Sequence, residues 1–324
     1  MPSNFPHPFS FDPGYGYELD ELLAVTAPEA PPDFVDFWQA RYGIALSLPP
    51  RPRLNEVAGT DTPGTNTRWK VARLTYESSG GFRIHGWAIF PREGEIRRGL
   101  VFVHGYGGLQ GPDLTMPYED AVIFFPCLRG ISLSRRPPIS SDPHGHVLHG
   151  INDRDHYILR GCTEDLWIGV SAMLELFPQV SGHLGLIGIS FGGGIAALAT
   201  PWDPRIVRTH LEVPTFGHHP LRLTLPTLGS GAAVTTYEKY KGGTLDTLRY
   251  YDAATAARHI TVPVHVAAAR FDPYVAPPGQ FAIYNALGGP RELFVLDAGH
   301  FDYPDHASQH RILLEEKKRF FSFL

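Results

Sequence analysis

The sequence predicts an α/β fold, a mostly parallel twisted sheet with helices on both faces. Short apolar runs recur along the chain, among them Leu100-Val101-Phe102-Val103, Ala121 to Cys127 and Leu184 to Ile189. Runs of that length and continuity are the signature of strands buried on both faces. Segments of helical period lie between them, as in Tyr157 to Phe177, where Leu159, Leu166, Val170 and Leu174 share one face. Strands alternating with helices argue for parallel pairing with both faces covered. The 324 residues suffice for a large core. They are expected to form one domain over 1–324, with an N-terminal arm and helix over 1–60 and an insertion at 214–250.

In chain order, residues 1–17 are rich in Pro, Gly and aromatics and read as an irregular arm. Glu18 to Leu23 is a short helix. Pro31-Pro32-Asp33-Phe34 puts prolines and an acid ahead of apolar residues at helical spacing, a helix start. Pro49 to Pro63 reads as a loop. Arg68 to Tyr76 and Phe82 to Phe90 alternate as strands around the turn Ser78-Ser79-Gly80-Gly81. Arg98 to His104 and Ala121 to Cys127 are the third and fourth strands. Residues 131–153, full of Pro, Ser, His and Gly, read as a long surface loop, and Tyr157 to Phe177 as a helix. Leu184 to Ile189 and Ile206 to Val213 are the fifth and sixth strands. Residues 214–250 break the alternation and are expected to lie over the carboxyl edge of the sheet. Val262 to Ala269 and Glu292 to Leu296 are the last strands, separated by a helix from about Pro278 to Ala286. His310 to Phe323 is a closing amphipathic helix.

Composition excludes several classes. Apolar residues make up 43%, charged residues 19%, and the formal charge is −5, with no basic stripe for nucleic acid. Cys127 and Cys162 are too few for a disulfide framework, so reduced thiols are expected. The start, Met1-Pro2-Ser3-Asn4-Phe5-Pro6, has neither the cationic nor the apolar segment of a secretory signal. No apolar run approaches the roughly 20 residues that span a bilayer. A cytoplasmic protein with no membrane partner is the default, although a mature chain with its signal removed would read the same.

The chemistry centres on Gly188-Ile189-Ser190-Phe191-Gly192. An apolar strand precedes it and Ile195 to Ala199 continue as a helix, the setting of a nucleophile elbow. The expected chain order is serine, then acid, then histidine. Asp272 follows the strand Val264 to Ala269, and His300 follows Phe294-Val295-Leu296 through Asp297-Ala298-Gly299. Both stand just past carboxyl ends of strands, where open α/β sheets place their sites. Asp272 is the expected acid and His300 the base. Asp297 is a rival that sits too close in sequence to reach the far ring nitrogen easily. Oxyanion donors are expected from the N–H of Phe191 and from the loop His104-Gly105-Tyr106-Gly107, with Tyr106 as donor. Gly105, Ile131, Pro214, Phe216, Val275 and Phe301 are expected around the pocket, with Tyr274 and Ala276 on the same turn as Val275. His144, His146 and His149, and the pair His218-His219, lack the carboxylate or cysteine pattern of a zinc site. No metal or other cofactor is expected.

These residues give the sequence a resemblance to the acetyl xylan esterase and cephalosporin C deacetylase family of carbohydrate esterases, from about Pro31 to the C-terminus. Pro32-Asp33-Phe34-x-x-Phe37-Trp38 resembles the family's N-terminal helix, His104-Gly105-Tyr106-x-Gly108 its oxyanion loop and Arg129-Gly130 its arginine motif. Ser190 with Gly192-Gly193-Gly194 resembles its elbow. Pro277-Pro278 with Phe281-Ala282-x-Tyr284-Asn285 resembles the helix after its acid. The resemblance implies an α/β-hydrolase fold and a serine esterase that removes acetyl groups from small acetylated sugars and related esters. It also implies a homo-oligomer, in the family often a hexamer.

The chain departs from the family's pattern at Ile131, Phe191 and Phe301, where Gln, Gln and Glu are usual. Three apolar replacements around the pocket lead one to expect that butyryl or longer esters do at least as well as acetyl esters. A peptidase related to prolyl oligopeptidases, or a non-catalytic binding protein on a hydrolase fold, are the other readings. The first would need a large extra domain and the second a broken triad.

Overall fold

The structure is a computed structural model, and it describes residues 5–57 and 68–324. The chain begins with α1 (Leu19–Ala24), α2 (Phe34–Ser47) and an edge strand, β1 (Arg53–Glu56). The hairpin β2 (Trp69–Ser78) and β3 (Phe82–Pro91) follows, then β4 (Arg98–Val103), β5 (Ala121–Cys127), α3 (Pro143–His146) and α4 (Ile158–Leu176). The elbow strand β6 (Leu184–Ile189) leads into α5 (Phe191–Ala199), followed by β7 (Ile206–Glu212). Then come α6 (His219–Arg222), α7 (Gly229–Lys241), α8 (Leu245–Leu248), α9 (Ala253–Ala257), β8 (Val264–Ala269), α10 (Pro277–Ala286), β9 (Arg291–Leu296) and α11 (His306–Phe321).

The nine strands form one sheet in the order β1-β2-β3-β5-β4-β6-β7-β8-β9. Pairing is antiparallel from β1 to β5 and parallel from β5 through β9. Successive side chains of a strand face opposite sides, and the two cores divide accordingly. Val101, Val122 and Phe124 join the core beneath α2, α4, α5 and α9, whereas Leu100, Ile123 and Phe125 pack on the other face with Phe320 and Phe321 of α11. The parallel half brings the ends of β4, β6, β8 and β9 to one edge, so His104, Ser190, Asp272 and His300 all emerge there.

Three local expectations change. The loop expected at 49–63 contains β1, whose Arg53-Leu54-Asn55-Glu56 looks polar in isolation but pairs with β2; residues 58–63 of that loop, like residues 1–4 of the arm, lie outside the described residues. The segment 131–153 is not a surface loop throughout, because α3 packs against α7 and Ile131, Val147 and Ile151 are buried. The insertion at 214–250 is largely helical, and a further helix, α9, follows it. Its cap is Asp252, whose Oδ1 accepts from the N–H groups of Ala254 and Thr255, the usual way a side chain satisfies the free donors of a first turn.

A buried ion pair ties the antiparallel hairpin to the parallel half. Arg129, just past β5, donates from Nε to Asp165 Oδ2 at 2.9 Å and from its terminal nitrogen to Oδ1 at 2.6 Å. It also donates to Ser79 Oγ at 2.9 Å, reaching the β2–β3 turn. Gly161 of α4 makes the room, since a Cβ there would stand 2.3 Å from the guanidinium. Breaking one side of such a pair strands the other charge in the interior, at a cost of roughly 3–5 kcal/mol. Asp165→Asn is therefore expected to destabilise the fold by about 3 kcal/mol. Urea denaturation measures it, and a loss below about 1 kcal/mol, the worth of a surface pair, would contradict the ascribed role.

Candidate active site

Ser190 joins β6 to α5 at φ 56° and ψ −115°, a region that side chains rarely occupy. Such a residue costs on the order of 1–3 kcal/mol and persists only where its surroundings hold it. Here they do. Its N–H donates to Glu212 O at 2.8 Å, and its carbonyl accepts from Gly194 and Thr215. Two glycines permit the turn by close approach. A Cβ on Gly188 would lie 2.5 Å from Gly192 O, and one on Gly192 would lie 2.0 Å from Val103 O.

Ser190 Oγ lies 2.8 Å from His300 Nε2, and His300 Nδ1 lies 2.7 Å from Asp272 Oδ2. A carboxylate only accepts, so Nδ1 carries the proton and Nε2 is left to accept from the serine hydroxyl. Asp272 is fully buried. Its Oδ1 accepts from the N–H groups of Tyr274 and Val275, and its Oδ2 also accepts from Gln280 Nε2 at 3.0 Å. Asp297 takes no such position, and its own N–H is held by Gln309 Oε1. Burial disfavours the imidazolium of His300, but the charge of Asp272 and its hydrogen bond outweigh this and raise the group above the ordinary histidine value.

The donors for an oxyanion stand beside this pair. Phe191 opens α5, so its N–H has no acceptor within the helix. Gly105 abuts the serine, with its Cβ position 3.4 Å from Ser190 Cβ, and the N–H of Tyr106 makes no hydrogen bond among the described residues. Two histidines hold this loop. His104 donates from Nδ1 to Gly105 O at 2.7 Å and accepts at Nε2 from Leu128 N–H. His146 donates from Nε2 to Arg129 O at 2.9 Å, which leaves Nδ1 to accept from the Tyr106 hydroxyl at 3.2 Å. Burial pulls both imidazoles down to about 4, so both stay neutral near pH 7. The ring of Tyr106 then stacks on Phe191, centroids 4.2 Å apart.

A cavity of about 560 Å³ opens over Ser190. Gly105, Tyr106, Phe191 and Val275 border it, with Tyr274, Ile189 and Leu228 as further apolar walls. Four residues expected around it stand elsewhere. Ile131 is buried behind Gly108, and Pro214 packs against Gly193 behind the elbow. Phe216 is buried edge-on against Phe191. Phe301 packs on Phe271, centroids 5.0 Å apart, and borders a second cavity on the other side of His300. Ile131 thus answers to packing rather than to a ligand, Phe301 lies outside the cavity over Ser190, and the ring of Phe191 is itself wholly buried.

Sequence reasoning missed Gln280, His104, His146 and the arm. Gln280 lies four residues into α10, and only the fold carries it back to Asp272. The arm brings Phe5 onto Phe271 and Phe9 onto Phe301, and Pro13 O accepts from the N–H of Asp272 at 3.1 Å. Aromatic residues in a Pro-rich terminus were a signal, but nothing local indicated their partners. Of the other histidines, His144 is exposed and paired with Asp142, while His219 is buried with Nε2 on Tyr251 O. Among the described residues no group of three or more His, Cys, Asp or Glu could hold a metal ion, and no helix is long and apolar enough to cross a membrane.

A family model described as acetyl xylan esterase (AXE1) matches residues 17–317. The acetyl esterase Axe7A of Xylanibacter ruminicola is 21% identical over 152 residues, 47% of this chain and 35% of that protein, so the chain spans about a third of that relative's length. Among solved structures, an acetyl xylan esterase from Paenibacillus sp. R4 superposes with a TM-score of 0.79 at 22% identity, covering 93% of this chain and 99% of the other. Acetyl xylan esterase 1 from Thermoanaerobacterium sp. JW/SL YS485 gives 0.78 at 20% identity, with 94% and 99% covered. An acylaminoacyl peptidase from Pyrococcus horikoshii gives 0.61 at 19%, with 79% and 42% covered. Likenesses at these identities establish the α/β-hydrolase fold.

The electrostatics of His300 make a direct prediction. Its imidazole, followed by NMR, is expected to titrate above 6.5. In Asp272→Asn the largest influence opposing burial is lost and only the weaker pull of Glu212 remains, so the midpoint is expected to fall below the wild-type value. Asp297→Asn is expected to move it less. A larger fall in Asp297→Asn would reassign the partner of the histidine.

Proposed function

The chain belongs to the acetyl xylan esterase family, and on that premise we propose that it is a serine esterase acting on small carboxylic esters, acetyl or short acyl, acetylated sugars included. The observation that carries this is the continuous path from Ser190 Oγ through His300 to Asp272, at 2.8 and 2.7 Å, at the mouth of an apolar cavity. Ser190 Oγ attacks the ester carbonyl while His300 Nε2 takes its proton. Asp272 fixes the tautomer and stabilises the imidazolium that forms. The N–H groups of Phe191 and Tyr106 receive the developing oxyanion. His300 returns the proton to the departing alcohol, leaving an acyl-serine. A water molecule activated by the same imidazole then releases the acid.

The working form of His300 is neutral, and its raised value puts the acid limb of kcat/KM above 6.5, with activity lost as pH falls through it. The acyl preference rests on the cavity and not on Ile131 or Phe301. About 560 Å³ walled by Ile189, Leu228 and Val275 exceeds what an acetyl group fills. Each methylene that fits such a wall is worth roughly 1–3 kcal/mol in discrimination.

We extend the reading to the chain's surroundings. Both cysteines are free and buried, which suits the reducing cytoplasm. Leu23, Ile44 and Leu46 of the N-terminal helices are exposed apolar residues suited to a homo-oligomer, which light scattering on the purified chain checks.

The enzymatic test is kcat/KM along an acetyl-to-octanoyl aryl series with one acetylated sugar. Butyryl is expected to equal or exceed acetyl, and a steep preference for acetyl would show that the cavity does not receive the acyl chain. Ser190→Ala is expected to lower kcat by about 10⁴ or more, because triad members act as a unit, with the thermal midpoint near wild type. Activity retained in a clean Ser190→Ala preparation would sink the assignment.

A further inference from the structure

The second cavity, of about 470 Å³, is bordered by His300 and by Glu212, the last residue of β7. Asp302, His306 and His310 are its other polar walls. The side chain of Glu212 is 8% exposed. An unpaired carboxylate so deep in the protein would give up its charge. Lys317 of α11 prevents this, its Nζ donating to Glu212 Oε2 at 3.0 Å. Burial disfavours the charge, but the ammonium, with His210 beside it, outweighs burial and holds the carboxyl well below its usual range. A negative charge is thus kept on a wall of the cavity that the catalytic imidazole shares.

The carbonyl of Glu212 accepts the N–H of Ser190 at 2.8 Å, so the residue that carries this charge also holds the nucleophile's turn. The other groups around Glu212 do not cancel it. Burial lowers His210 to about 3 and lowers His310 as well, so both are neutral near pH 7. The ring of His306 lies against His310, centroids 4.1 Å apart. Burial raises the hydroxyls of Tyr118 and Tyr303, which stay protonated. Asp302 is exposed, where water screens it. His210 leads on through His265, Nδ1 to Nδ1 at 2.8 Å, to Glu316 at 3.2 Å. Burial lowers His265 too, and two neutral imidazoles supply only two N–H groups for the three gaps of this chain. One end therefore goes without a donor, and Glu212, 3.4 Å from His210, relies on Lys317. Around His300 stand Asp272 on Nδ1, Ser190 on Nε2 and the ring of Tyr274, centroids 5.8 Å apart. After Asp272, Glu212 is the anion that bears on the imidazole.

We propose that Glu212 is a positioning residue of the hydrolysis, its carboxylate held charged by Lys317 and stabilising the imidazolium that His300 becomes on taking the serine proton. The attack turns a neutral imidazole into a cation. A negative charge already fixed in place favours that change and needs no reorganisation when it happens. Asp272 orients the ring through a hydrogen bond, whereas Glu212 acts on its charge alone. Lys317 does not border the cavity, so it secures the carboxylate from behind. The proposal rests on the esterase reading above and adds a second anion to the surroundings of its base.

The test follows the titration of His300 by NMR and the pH profile of kcat/KM on 4-nitrophenyl acetate, both with the full chain. Glu212→Gln keeps the side chain's shape and the backbone carbonyl and removes the charge. A nearby anion favours the protonated imidazole, so its loss lowers the titration midpoint. The midpoint and the acid limb of kcat/KM are both expected to move to lower pH, by less than in Asp272→Asn. On the pH plateau kcat/KM is expected to fall by about threefold to tenfold, the mark of a weaker base. Loss of the triad carboxylate would cost far more, roughly 10⁴. Because Glu212→Gln strands Lys317, the double variant Glu212→Gln/Lys317→Met is measured beside it. Replacing both partners of a buried pair is often neutral for the fold. There the melting temperature is expected to recover while the midpoint of His300 stays below wild type. A midpoint that returns to the wild-type value together with stability shows a role in folding alone and overturns the proposal. So does a midpoint unmoved or raised in Glu212→Gln, and the double variant decides where Glu212→Gln does not fold. A lowered midpoint with plateau kcat/KM unchanged overturns it as well, since the charge then does nothing for the transition state. The NMR midpoint needs no turnover. A lowered midpoint in a chain whose wild type hydrolyses no ester upholds the coupling of Glu212 to His300 and counts against the esterase reading instead.

Discussion

The backbone at Ser190 is the constraint on which the site depends. A serine at φ 56° is strained, and the strain is what lifts its hydroxyl clear of both strand and helix. The turn survives because neighbouring backbone closes on it: a Cβ on Gly188 would overlap Gly192, one on Gly192 would overlap Val103, and Glu212 O takes the serine N–H. Each neighbour carries a further part of the site. Val103 leads into the loop of Gly105 and Tyr106, and Gly192 follows the N–H of Phe191. Displacing the turn by one side chain's width would therefore move nucleophile and both oxyanion donors together.

The loop of Tyr106 is held from a distance. Asp165 fixes Arg129, Arg129 O accepts from His146, and His146 accepts from the Tyr106 hydroxyl. That chain couples the β2–β3 turn and α4 to a backbone N–H beside the serine. It depends on His146 being neutral, which burial secures. The arginine after β5 thus acts through packing and hydrogen bonds rather than on a ligand. The same logic explains the apolar residues at 131, 191 and 301. Phe191 lies between Tyr106 and Phe216, and Phe301 anchors the N-terminal arm through Phe5 and Phe9. At 131 and 191 the side chains are buried, where a polar group would need a hydrogen-bond partner of its own.

Catalytic geometry and substrate choice come from different parts of the chain. The sheet edges supply Ser190, Asp272 and His300 on short turns, which fixes their geometry with little freedom. The segment between β7 and α9 supplies Leu228, Gly229 and Ser230 along the cavity. A helical insertion can change its lining residues without disturbing the turns below it, so it is the place where specificity can vary at least cost to the chemistry.

The sequence by itself determined what is local. Apolar runs and helical periods marked eight of the nine strands and most of the helices, and Gly188-x-Ser190-x-Gly192 with the order Ser190, Asp272, His300 was legible from spacing. A strand buried on both faces and a turn that excludes Cβ atoms each leave their signature within a few residues. Tertiary structure alone decided what is non-local. It paired the polar β1 with β2, buried part of 131–153 under α7, and moved Ile131, Pro214, Phe216 and Phe301 away from the cavity. It brought Gln280 to Asp272. Composition and period report which face a side chain prefers. They carry no information on which distant segment will cover that face, because that depends on how the sheet edge and the insertion fold over one another.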